Sequence, residues 1–280
     1  MISQRLAAAS FALLFGASLH AAALFPKPIH FVRKVEDSIS GKSTTVDEYC
    51  AGNRIVTISG SKVTIADYDK QELTEIDHAA GTYSITRFDE VAKARKPAGP
   101  ARATAAASPV TDGAKWRTTP LGVKGSASGR SLETVEMTRE ANSVKEKIEV
   151  GVDRQVGLSR DAVEALIGAS YPNTRSEVHD LLLGAAAPQH GGSGRATVAS
   201  ASSTSDATDV YGLPSEQTMT FDIDGNHVTT HTAILSVAYD NVPPAALNID
   251  PGAKRVESNL TRVNKELQAL DQLPSSSSKP

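Results

Sequence analysis

Apolar and polar residues alternate with a period of two through most of the first ninety positions, and short polar breaks interrupt the alternation. This pattern predicts a series of antiparallel strands, because side chains of a strand alternate between two faces. The predicted strands are 29–39, 44–50, 54–59, 62–68, 73–77 and 82–88, with turns at Ala51-Gly52-Asn53, Gly60-Ser61, Asp69-Lys70 and Ala80-Gly81. In 62–68 Val63 and Ile65 share a face, and in 82–88 Tyr83, Ile85 and Arg87 do. A short helix over 89–95 follows. The alternation resumes at 115–121, which carries the single Trp116, and continues at 131–139 and 144–152.

The period then changes. Ala162, Val163, Leu166 and Ile167 recur at helical spacing after Ser159, a good N-cap residue. Tyr171-Pro172-Asn173 breaks this helix. Thr174 to Glu177 fits a capping box for a second helix with Val178, Leu181 and Leu182 on its apolar side and Gly184 as its stop. Two further strands, 216–222 and 228–239, are joined through Asp224-Gly225, a preferred hairpin turn. Val256, Leu260, Val263, Leu267 and Leu270 predict an amphipathic helix over 255–270. About ten strands with segregated helices imply an α+β fold. A sheet this wide must twist and curl, so the expected architecture is a large curved antiparallel sheet, a half-barrel, with two or three helices over its concave face and a C-terminal amphipathic helix.

Composition adds a compartment. Residues 1–23 carry one charge, Arg5, then an apolar or small run to Leu19 and the small residues Ala21-Ala22-Ala23. This predicts a secretory signal peptide cleaved near Ala23, and hence a periplasmic or secreted protein. The run is short and Ala-rich for a membrane anchor. Cys50, the only cysteine, does not follow that cleavage point, so lipidation there is not expected, and no internal disulfide can form. Cys50 reads as a small buried thiol, with a redox thiol or an intermolecular disulfide as the alternative. The remaining 24–273 read as a single domain with flexible segments at 96–113 and 185–209 and a disordered tail at 274–280. The net charge of -3 and the low aromatic content, 5%, argue against a nucleic-acid partner.

Candidate chemistry is sparse. Ser38 to Thr44 ends like a phosphate-binding loop, but Glu36 stands where its first Gly belongs. Ser59-Gly60-Ser61-Lys62 has the spacing of a serine–lysine pair but falls on a strand turn, and Gly125 to Gly129 has Ala127 where a nucleophile would stand. Asp222 to Asn226 lacks the Gly position and closing Glu of a calcium loop. His227 and His231 share the solvent face of one strand, about 13 Å apart, too far to hold one metal. His30, His78 and His190 have no evident carboxylate partner in the sequence. No catalytic residue, metal ligand or cofactor site is assigned.

Three stretches carry a resemblance: 62–88 with the helix at Asp89, 148–165, and 211–256. The last contains Tyr211-Gly212-Leu213-Pro214, Val242-Pro243-Pro244 and Ile249-Asp250-Pro251-Gly252-Ala253-Lys254. Together they resemble the exported bacterial proteins of the DUF4412 family. The chain departs from that pattern at 124–131, which has no Cys, and at Leu247 and Asn248, where an aromatic is usual. The resemblance implies a fold similar to the periplasmic lipoprotein carriers, which bind acyl chains in a curved sheet closed by helices, and it implies no functional residue. The expected function is a non-enzymatic binding module for a lipid or lipoprotein acyl chain, with Val163, Leu166, Ile167, Val178, Leu181 and Leu182 as the apolar lid. The same six residues could instead simply fill a core. The alternatives are an envelope structural or interaction factor that engages a partner protein through the C-terminal helix, and a hydrolase with a spatially assembled site.

Overall fold

The computed structural model describes residues 22–38, 41–95, 114–126, 128–141, 144–170, 176–188, 209–223, 226–258 and 261–262. The predicted signal segment through residue 21, the segments 96–113 and 189–208, the predicted break at 171–173 and cap at Thr174, the predicted turn Asp224-Gly225 and the stretch 263–280 lie outside these residues.

Among the described residues twelve strands form one curved, unclosed sheet. The first six are β1 (Phe25–Asp37), β2 (Lys42–Gly52), β3 (Arg54–Ser59), β4 (Lys62–Asp67), β5 (Glu72–Asp77) and β6 (Thr82–Arg87). They pair in sequence order as an antiparallel meander, because short turns allow each strand to meet only its neighbour. After α1 (Phe88–Arg95), a second meander of β7 (Arg117–Gly125), β8 (Ser131–Ala141) and β9 (Val144–Leu158) begins at the far edge of the sheet. The helices α2 (Arg160–Ser170) and α3 (Ser176–Ala186) interrupt it, and β10 (Tyr211–Ile223) and β11 (Asn226–Ala238) complete it. β11 pairs antiparallel with β1, from Asp37 opposite Thr230 to His30 opposite Ala238, and this one pairing joins the two meanders.

The predicted strands are all present, several of them longer. β1 starts at Phe25, four residues early, because Phe25 is buried and the Leu24 amide donates to Asn53 Oδ1 at 2.8 Å. β9 continues six residues past the predicted end, through the core residues Val156 and Leu158. α3 passes Gly184 and ends at Ala186, so the first residues of the segment expected to be flexible from 185 are helical. The predicted start of the C-terminal helix at Arg255 is corrected. Lys254–Arg255 form a short strand, β12, parallel to β6, and the Val256 amide donates to the Tyr83 carbonyl at 2.8 Å. With those groups committed to the sheet edge, the next described helical residues are Thr261 and Arg262, and the Thr261 amide donates to the Ser258 hydroxyl at 3.2 Å.

Each face has its own apolar cluster. One face carries Phe31, Cys50, Ile55, Val150 and Val152 and is covered by α2 and α3. On the opposite face Val56, Val63 and Ile76 pack beneath 242–247, which includes a short 3-10 turn at Pro244–Leu247. Gly212 is required on the helix-bearing half of the sheet, since a Cβ there would collide with the Val152 side chain and approach Arg154 Cδ to 3.0 Å. No helix among the described residues is long and apolar enough to cross a membrane.

Candidate binding face

Both predicted helices form. Ser159 caps α2, accepting from the Ala162 amide at its hydroxyl (3.2 Å) and from the Val163 amide at its carbonyl (3.1 Å). All six predicted lid residues are brought together: Val163, Leu166, Ile167, Val178, Leu181 and Leu182 are buried in one cluster with Phe25, Phe31, Ile148 and Leu213 of the sheet. α2 and α3 both lie over β10, and α3 also lies over β9.

Polar contacts fasten this pair at its ends. At the C-terminus of α2 the Ser170 hydroxyl donates to Glu48 Oε1 at 3.2 Å, and Arg33 donates to Glu48 Oε2 at 2.9 Å. Near the N-terminus of α3, Arg139 donates to Glu177 Oε2 at 2.9 Å and also pairs with the buried Glu146. The Arg139 guanidinium lies over the Trp116 ring, 4.6 Å from its centre. At the C-terminus of α3, Arg154 donates to the carbonyls of Ala186 (2.6 Å), Ala187 (2.9 Å) and Ala185 (3.2 Å), and to Glu133 at 2.7 Å. These carbonyls are the unpaired end of a helix, where a cation is favoured. Tyr68 supplies one further contact, its hydroxyl donating to the Ala165 carbonyl at 3.2 Å.

Beneath the helices one polar side chain stands apart. Gln217 of β10 lies between Val150 of β9 and Thr232 of β11 and is 2% exposed. Among the described residues neither its Nε2 nor its Oε1 has a hydrogen-bond partner. The neighbouring Ser215 hydroxyl donates to the Leu213 carbonyl at 3.2 Å. An unpaired buried polar group costs about 1–3 kcal/mol, and more than nine in ten such groups in folded proteins are paired. Cys50 lies on the same face, fully buried. Burial, with a smaller contribution from Glu48, pushes its thiol well above the ordinary range, while Arg33 acts the other way.

Two depressions open away from the helices. One, of about 230 Å³, is lined by Glu36, Asp37, Lys42, Thr229 and His231 among others. The other, of about 170 Å³, is lined by Lys124, Thr134, Glu149, Gly151, Glu216 and Thr218. His231 bridges the two: its Nδ1 is 3.0 Å from Thr218 Oγ1, and its Nε2 is 3.5 Å from Glu216 Oε1. His227 and His231 share this face as expected, and His227 points to solvent. The expectation that His30 and His78 have no carboxylate partner is corrected. His30 Nε2 is 2.9 Å from Asp47 Oδ1, and its ring stacks on Tyr49 at 4.0 Å. His78 Nδ1 is 3.4 Å from Asp250 Oδ2. These partners lie on neighbouring strands or on the 239–253 segment, and only the pairing register reveals them.

No family model matches the chain, and no curated protein matches it. Among solved structures, one of PNGF-II aligns with 88% of this chain at 8% identity and a TM-score of 0.36. The alignment spans 33% of that protein's length. A likeness at that level carries no functional argument.

Proposed function

We propose that this chain is an exported, periplasmic binding module that holds a lipid or lipoprotein acyl chain between the α2–α3 pair and the concave face of a half-barrel sheet. The resemblance to DUF4412 proteins read in the sequence implies such a fold. The observation that carries the reading is the contrast between the rim and the interior of the helix–sheet interface. At their ends the helices are held by the Ser170 hydroxyl donating to Glu48 and by hydrogen bonds from Arg139, Arg154 and Tyr68. The interior is largely apolar, with Val163, Leu166, Ile167, Val178, Leu181 and Leu182 in one cluster with Phe31, Val150 and Val152. The Arg139–Glu177 bond can exchange with water, since the Glu177 carboxylate is 61% exposed, and it contributes under about 1 kcal/mol. A largely apolar interior can re-pack around an acyl chain.

Native mass spectrometry of the protein purified from the periplasm tests this. An acyl-bearing species retained by the folded chain is the expected result. A ligand-free spectrum, together with no acyl transfer from phospholipid vesicles, would sink the proposal. It would leave the six helix residues as core filling and favour an envelope interaction role.

A further inference from the structure

The buried Gln217 amide narrows the ligand's chemistry, an inference that rests on the acyl-binding reading above. β10 runs beneath both helices, and Gln217 projects from the same face as Met219, which packs against the helix-covered cluster. A primary amide presents a donor and an acceptor side by side in one plane. Here both are buried and both are unpartnered. A plain hydrocarbon tail would leave them so. An ester offers acceptors only and would satisfy Nε2 while leaving Oε1 without a donor. A carboxylate has the same defect and carries a charge into an apolar interface. A trans secondary amide holds its N–H and C=O on opposite sides and meets only one of the two atoms. A protonated carboxyl or a primary carboxamide places a donor beside an acceptor on one side and pairs with both.

We infer that Gln217 is the polar anchor of the binding face and that the ligand is an acyl chain ending in a protonated carboxyl or primary carboxamide, held by a reciprocal pair of hydrogen bonds. Sites that hydrogen-bond a polar group discriminate strongly against analogues lacking it, because their own buried groups are then left unpaired.

The test compares dodecanamide with methyl dodecanoate, matched in chain length, by calorimetric titration of the full exported protein. The wild type should bind the amide about tenfold more tightly than the ester. In Gln217→Leu the preference should fall to about twofold or less, with ester binding retained. Equal binding of both probes by the wild type overturns the anchor but leaves acyl binding standing. Binding of neither removes both. The melting temperature of the ligand-free variant gives an independent readout. Gln217→Leu removes an unpaired polar group and should melt about 2–4 °C higher than wild type. A lower melting temperature would mean that the amide is already paired in the free protein, and the inference fails.

Discussion

Replacing Arg139 with Met removes a guanidinium whose side chain is 4% exposed and which pairs with a Glu146 side chain that is 1% exposed. Glu146 then stays on the core face of β9 without that counter-charge. Breaking a buried ion pair from one side costs about 3–5 kcal/mol, a large part of the ~5–15 kcal/mol that holds a typical domain together. Two smaller losses accompany it. Arg139 also meets Glu177, but that carboxylate is 61% exposed, so water screens the contact and its share is under about 1 kcal/mol. The cation–π contact with Trp116 adds about 0.5–2 kcal/mol. Arg139→Met should therefore lose about 3.5–8 kcal/mol, Glu177→Ala under about 1, and the double variant Arg139→Met/Glu146→Leu should recover the ion-pair part of the loss, because an apolar pair of similar volume strands no charge. Urea unfolding followed by far-UV circular dichroism measures all three, with Trp116 emission as a second probe at the site itself. The reasoning fails if Arg139→Met costs less than 1 kcal/mol, or if the double variant is no more stable than the single one.

Cys50 should resist thiol reagents in the folded protein and react fully on unfolding, because burial holds it as the neutral thiol. Its folded pKa is raised, so above about pH 8.5 the unfolded chain releases a proton that the folded chain keeps. Stability then falls with rising pH by up to about 1.4 kcal/mol per unit from that one group. Unfolding curves between pH 8 and 10 should show this slope in wild type and a shallower one in Cys50→Ala; identical slopes would refute it. Tyr49, also raised by burial and by the carboxylates of Asp47 and Asp240, adds its own loss only above about pH 10. Arg154→Lys puts a single ammonium where a fork now reaches three carbonyls and Glu133. Amide hydrogen exchange in the last turn of α3 should quicken about tenfold, whereas unchanged protection would show that packing alone holds that helix end.

The strands and the two central helices were legible because their periodicities are local: period two along β1 to β6, and helical spacing of Val163, Leu166 and Ile167 after the Ser159 cap. Pairing is not local. That β11 closes on β1, 191 residues earlier at Ser38 and Thr229, follows from no periodicity, yet the Thr229 amide donates to the Ser38 hydroxyl at 2.8 Å. The Asp47 partner of His30 and the strand β12 were hidden for the same reason. The C-terminal helix start was misread because Val256 satisfies the helical spacing equally well while its amide is bound to β6.

The polar fasteners were nonetheless present in the alternation. Arg33 stands two positions after Phe31, Glu48 two before Cys50, Arg139 two after Met137, and Glu146 two before Ile148. Each charge is therefore on the phase that the apolar residues assign to the core, and each is buried. A charge out of phase with the core can simply face water, whereas a charge in phase must find a partner on the adjoining strand. Two neighbouring strands that each carry one such charge, of opposite sign and within reach in register, predict a buried pair. Gln217, two positions before Met219, obeys the first half of that rule and breaks the second. In the same phase Arg33 and Glu48 answer one another, as do Arg139 and Glu146, while Gln217 faces Val150 on one side and Thr232 on the other. Gln217 is thus the in-phase polar group whose cross-strand neighbours leave its amide unpaired, which makes it the position on this face where a ligand has something specific to meet.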